Sequence, residues 1–151
     1  MKKNILLIGG SHGIGLSMVK KLQNDYTIFI ACRTMEGLED LPITHIPFDA
    51  TSENLDTTQL PNELHGFAYL PGSINLKPFK MMSLETFEED MQLNFFSMVS
   101  VVKAIMPKMM DNSSMVFFST VAVNTGMPFH TSVAASKGAI EGFARSLAAE
   151  Y

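Results

Sequence analysis

The run Asn4-Ile5-Leu6-Leu7-Ile8-Gly9-Gly10-Ser11-His12-Gly13-Ile14-Gly15 constrains the fold more than any other part of this chain. A short apolar run breaks into glycines, and a helical pattern follows. Ile14, Met18 and Leu22 recur at helical spacing, with Lys20 and Lys21 turned outward. The segment reads as a strand entering a helix through a glycine-rich loop. Gly9 permits the tight turn, Gly13 leaves room for a ligand to approach the backbone, and Gly15 lets helix and strand pack closely. Such a loop sets backbone N–H groups at the positive end of a helix, where a diphosphate can bind. Ordinary βα turns also use glycines. The position after a first strand, at the head of an alternating chain, is what gives the pattern weight.

That alternation continues. Tyr26–Ala31 reads as a second strand and Thr44–Phe48 as a third, with Pro47 at a strand end. The polar stretch Thr51–Asn62 has room for one helix. Gly66–Leu70 reads as a fourth strand, stopped by Pro71-Gly72. Ser83 suits the N-cap of a helix whose first turns carry Glu85, Glu88 and Glu89. A long apolar helix follows, from about Met91 to Met110, with Pro107 and Asp111-Asn112 marking its end. Ser114–Phe118 is a fifth strand. Thr131 or Ser132 opens a last helix that runs to Tyr151, with Val133, Lys137, Ile140 and Ala144 along one side. The pattern predicts an α/β protein with a doubly wound parallel sheet, helices on both faces and right-handed crossovers.

With 151 residues, no linker and no repeat, residues 1–151 are expected to form one Rossmann domain. Hydrophobic residues at 46% against 17% charged exclude a disordered chain. A net charge of −4 without a basic run argues against a nucleic-acid partner. Cys32 is the one cysteine, so no internal disulfide can form, which fits a reducing compartment. Met1-Lys2-Lys3 is similar to the start of a signal peptide, but the apolar run after it is too short for one, or for a membrane span. The expectation is a soluble, cytoplasmic protein without membrane contact. Twelve methionines fill irregular core space or line an adaptable interface.

The motifs, in this order, resemble the short-chain dehydrogenase/reductase family. They are Gly9-x-x-x-Gly13-Ile14-Gly15, Asp49 after the third strand, Asn94 in Leu93-Asn94-Phe95-Phe96, Ser119-Thr120 after the fifth strand, and Ala134-Ala135-Ser136-Lys137-Gly138-Ala139 in the last helix. Three departures accompany them. Ile8 stands where the family usually has threonine. Tyr69-Leu70-Pro71-Gly72 replaces the usual Asn-Asn-Ala-Gly turn. The motif Tyr-x-x-x-Lys reads Val133-Ala134-Ala135-Ser136-Lys137, with valine in place of the tyrosine that protonates the substrate carbonyl. Family members continue into two more strands and a substrate-covering segment, so the resemblance makes a fragment the expectation here.

The resemblance implies a nicotinamide dinucleotide held by Gly9, Ser11, His12, Gly13, Ile14, Arg33, Asp49, Ala50, Gly72, Asn94 and Lys137. The end of the second strand, Ala31-Cys32-Arg33-Thr34, lacks the carboxylate that would take a ribose 2′-hydroxyl. Arg33 can instead pair with a 2′-phosphate, and His12 lies where a second phosphate-side contact is expected, so the expected cofactor is NADP, bound as NADPH. Arg33 also reads as a solvated loop arginine, and Asp49 as a turn residue rather than a partner of the adenine amine. Tyr69 reads as core that can reach the nicotinamide side.

In the family, lysine and tyrosine lie four apart on one helix face, and the lysine lowers the tyrosine pKa from about 10. Thr120, thirteen positions before Val133, takes the place of the carbonyl-polarising serine. The resemblance implies that Asn94 would hold a proton-relaying water and Lys137 the ribose. The missing donor is worth ~10²–10⁴-fold. His130, seven residues before Lys137, stands where related enoyl reductases place a tyrosine, and an imidazole can donate a proton. It reads more readily as a loop residue that lines nothing. Thr131 and Ser132 read as caps. The expected catalytic set is therefore Asn94, Thr120, Lys137 and His130, with no metal.

The leading expectation is an NADP-dependent oxidoreductase reducing a carbonyl, or secondarily an activated C=C, of a small substrate. The rival is a catalytically impaired NADP-binding sensor or oligomer partner. A homo-oligomer, dimer or tetramer, is expected through the Met91–Met110 helix and the last helix.

Overall fold

The computed structural model describes residues 2–151; Met1, the first residue of the Met1-Lys2-Lys3 start, lies outside the described residues. Five strands form one sheet in the order β3-β2-β1-β4-β5. They are β1 (Lys3–Ile8), β2 (Tyr26–Cys32), β3 (Ile43–Pro47), β4 (Leu64–Tyr69) and β5 (Met109–Phe117). β1 pairs in parallel with both β2 and β4, through Ile5↔Ile28 and Ile5↔Gly66, and β2 pairs in parallel with β3. The order turns back at β1: β2 and β3 lie to one side of it, β4 and β5 to the other. This reversal is the switch point at which Rossmann-like sheets hold ligands, beyond the carboxyl ends of their strands. Pro47 ends the edge strand β3, where its missing N–H removes no central ladder bond.

The helices are α1 (Gly13–Leu22), α2 (Leu84–Met91), α3 (Ser97–Ile105), α4 (Ala122–Thr125) and α5 (Thr131–Glu150). The chain divides into two compact units, Met1–Leu70 with Ser100–Val116, and Pro71–Val99 with Phe117–Tyr151.

In the first unit, Ile5, Leu7, Ile28 and Ile30 of the sheet pack with Val19 of α1 and with Leu38, which is 0% exposed within the β2–β3 loop. In the second, α2 and the segment after it pack on α5. Phe143 of α5 meets Phe95 and Phe117 edge-on, at 6.0 and 6.2 Å. Among the described residues no helix is long and apolar enough to cross a membrane.

Several expectations change. Of the expected stripe, Met18 and Leu22 pack against the core but Ile14 is 60% exposed, and α1 buries Gly15 and Val19 as well. A Cβ on Gly15 would stand 2.7 Å from the Gly9 carbonyl, so the backbone of α1 itself lies against the turn and sets the buried face. The Thr51–Asn62 stretch holds one 3-10 turn, Thr57–Gln59, and no α-helix. Asp49 and Asp56 spend their carboxylates on the backbone and hydroxyl of Thr51 and Thr58, local bonds that compete with a helix. The expected Met91–Met110 helix begins earlier, at Leu84. It passes through a π-helical segment, Gln92–Phe96, and finishes as a 3-10 turn at Met106–Lys108. Asp111-Asn112 then lies inside β5, with Asn112 at φ 61°. α5 opens at Thr131, as expected, but its N-cap is His130 rather than Thr131 or Ser132.

Candidate functional site

In the first unit the glycine loop follows β1 directly. Gly9 donates its N–H to Ala31 O and sits at φ 75°; Gly13 sits at φ 54° with nothing within 4 Å of a Cβ built on it. A side chain there would fill open space at the start of α1. No side chain caps that helix, and no acidic residue stands in its first turn, so its leading N–H groups remain available to an anion. A close-approach glycine beside an uncapped helix start fits a diphosphate.

Parallel pairing brings the ends of β2 and β3 to the same sheet edge. Arg33 follows β2 and is exposed; Asp49 and Ala50 follow β3 and are half-buried. Asp49 Oδ1 accepts from Thr51 N at 2.9 Å and Thr51 Oγ1 at 2.7 Å. These bonds, and after them the Arg33 charge, hold its carboxyl below the usual aspartate range. The residue thus does serve a turn, and Oδ2 stays outside those bonds. His12 is exposed. Its Nδ1 lies 2.9 Å from Ser11 Oγ and its Nε2 3.8 Å from Glu36 Oε2, so a phosphate at His12 would compete with that carboxylate.

The second unit brings together Gly72, Asn94 and Lys137. A Cβ on Gly72 would stand 3.2 Å from Asn94 Oδ1 and 3.3 Å from Lys137 Nζ. Asn94 is fully buried within the π-helical segment. Burial pushes the Lys137 ammonium down from the ordinary lysine range, and the Asp90 charge opposes that. Among the described residues Lys137 Nζ has no hydrogen-bond or ion-pair partner. Val133, one turn before Lys137, is buried.

Thr120 Oγ1 accepts from Ala122 N at 3.3 Å, a bond that leaves its proton free to donate. His130 Nδ1 lies 2.7 Å from the Pro128 carbonyl. A carbonyl only accepts, so Nδ1 carries the proton. The neutral ring then offers a lone pair at Nε2, and donation there requires the imidazolium. Tyr69 is 2% exposed and belongs to the core.

Sequence reasoning missed the polar cluster beneath Gly72. Asp90, fully buried on α2, accepts from Ser73 Oγ, from Asn75 Nδ2 at 2.8 Å and from Ser132 Oγ. Ser132 therefore serves Asp90 and does not cap α5. Asn94 Nδ2 donates to Ser136 Oγ at 3.0 Å and Ser73 Oγ at 3.2 Å. The four-residue spacings Asp90/Asn94 and Ser132/Ser136 were the available signal, since each pair shares a helix face.

The strand order and the glycine loop after β1 define an α/β fold of the Rossmann type. The family model described as short chain dehydrogenase matches residues 3–151, and the chain belongs to that family. The dehydrogenase/reductase SDR family member 7C of Xenopus tropicalis is 39% identical over 75 residues, 48% of this chain and 24% of that protein. Human retinol dehydrogenase 8 is 28% identical over 165 residues, 97% of this chain and 53% of that protein. A short chain dehydrogenase family protein from Francisella tularensis shares the fold, with a TM-score of 0.88 and 22% identity, over 99% of this chain and 64% of that one. The chain thus spans about half the length, or less, of these curated relatives.

Proposed function

We propose that this chain is the nucleotide-binding part of an NADP-dependent oxidoreductase that reduces a carbonyl, or secondarily an activated C=C, of a small substrate in the cytoplasm. The observation that carries the reading is the half-buried Lys137 ammonium, which among the described residues has no hydrogen-bond or ion-pair partner, feels the Asp90 charge, and faces the Gly72 backbone beside Asn94. A desolvated cation of this kind calls for an oxygen-rich ligand. When bound, the nicotinamide supplies the hydride.

The chain's own groups do the rest. Gly9, Ser11, Gly13 and Ile14 receive the diphosphate on backbone N–H groups. Arg33, with His12, takes the 2′-phosphate, and Asp49 with Ala50 lies along the adenine. Lys137 holds the ribose hydroxyls, Gly72 lets that ribose approach, and Thr120 donates its free proton to the substrate oxygen. Val133 stands where the family motif has its tyrosine, so proton delivery is the weak step. A sensor or oligomer partner that binds NADP with little turnover is the second reading. It is favoured by Val133 and by the His130 Nδ1 proton already committed to Pro128.

Fluorescence titration tests the cofactor assignment. NADPH is expected to bind at least about tenfold more tightly than NADH, since a charge-assisted pair is worth roughly 1.5–3 kcal/mol, and Arg33→Asp is expected to invert the order. Equal affinities before and after the change would refute it. Turnover on a panel of carbonyls, measured beside binding, separates enzyme from sensor.

A further inference from the structure

Asp90 has no part in the chemistry above, yet its carboxylate is fully buried and joins three segments: α2, the Ser73–Asn75 loop and α5. The Ser73 hydroxyl has one proton, given to Asp90 Oδ1. Its oxygen can then only accept from Asn94 Nδ2, at 3.2 Å. The Ser136 proton goes to Val133 O at 3.1 Å, so Ser136 also accepts from Asn94 Nδ2. Asn94 Oδ1 accepts from Ser73 N at 3.1 Å. Every group around the amide thus favours one orientation. Reversed, its NH2 would face the Ser73 N–H and its oxygen would face two hydroxyl oxygens without free protons.

We propose that Asp90 is a positioning residue: by taking the Ser73 hydroxyl proton it locks the Asn94 amide in one orientation against Gly72 and Lys137. The inference rests on the functional reading above only in giving that geometry a purpose. Without an acceptor at Asp90, the Ser73 proton becomes free for Asn94 Oδ1, and the opposite amide orientation becomes competitive.

The test reads hydrogen exchange of the Asn94 side-chain NH2 by NMR in the cofactor-free protein, with Tm recorded alongside. Asp90→Leu and Ser73→Ala are each expected to speed exchange on the order of tenfold, as loss of one protecting hydrogen bond does. Asp90→Asn keeps a carbonyl acceptor for Ser73, so it should restore slow exchange. Ser132→Ala breaks the far side of Asp90 and is expected to lower Tm without changing Asn94. Should Asp90→Leu not fold, Ser73→Ala decides. Unchanged exchange in Ser73→Ala, or equal acceleration in Ser132→Ala, overturns the proposal. Wild-type protein that fails to bind NADPH sinks the functional reading and leaves the amide result standing.

Discussion

Lys137 carries a cost that depends on pH in a defined direction. Burial favours its neutral form, so the folded chain releases this proton at a lower pH than the unfolded chain. Between that lowered value and the ordinary 10.5, the unfolded state binds more protons, and stability from this group rises with pH. Below the folded value the cost is fully present. Tm measured as the pH rises toward the ordinary 10.5 should therefore climb more steeply for wild type than for Lys137→Met. Parallel curves would remove burial of the charge as the cause. At the neighbouring Val133, tyrosine in a chain of the relatives' full length is expected to raise carbonyl reduction by about tenfold or more. Overpacking this buried site should cost about 1–3 kcal/mol. Little gain, together with loss of activity in His130→Ala, would assign the proton to His130 instead.

The glycine loop, β1, β2 and β4 were legible because central strands of a parallel sheet are apolar on both faces and end at turn residues. β5 was harder. It begins at Met109 and carries Asp111, Asn112, Ser113 and Ser114, so its first half reads as a loop. The β2–β3 loop hid a core residue: Leu38 sits among polar neighbours, and Gly37 at φ 77° turns the chain so that it enters the sheet's core cluster. Leu38→Ala is accordingly expected to destabilise by about 2–5 kcal/mol, as a core truncation and not a loop change, measured by denaturant unfolding. A cost below about 0.5 kcal/mol would place it outside the cooperative core. The grouping of the candidate residues was legible where one residue matches one motif position, as at Asn94 and Lys137, which stand together beside Gly72. It was not legible where buried polar groups serve one another, as around Asp90, because hydrophobic periodicity carries no record of hydrogen-bond partners.

At the scale of the whole molecule, the apolar surplus expected on the Met91–Met110 helix is partly spent internally: Met98, Val101, Val102 and Ile105 are buried within the chain. Phe96 is not. It is 53% exposed and rests on Phe95 at 5.4 Å, the outer end of the row that includes Phe143 and Phe117. We propose a homo-oligomer, dimer or tetramer, that covers Phe96, since an exposed aromatic continuous with a packed row suits an interface between copies. Light scattering at micromolar concentration should report more than one chain per particle, and Phe96→Glu should shift it toward monomer. A wild-type monomer would refute the proposal.

Cys32 gives the protein a chemical clock. It is the sole thiol, buried at the end of β2, held to Thr34 O at 3.1 Å and pushed up in pKa chiefly by burial. A thiol-directed reagent needs both exposure and the thiolate. Its rate of attack therefore counts how often the end of β2 opens, one residue before Arg33, with no label to introduce and no second thiol to confuse the count.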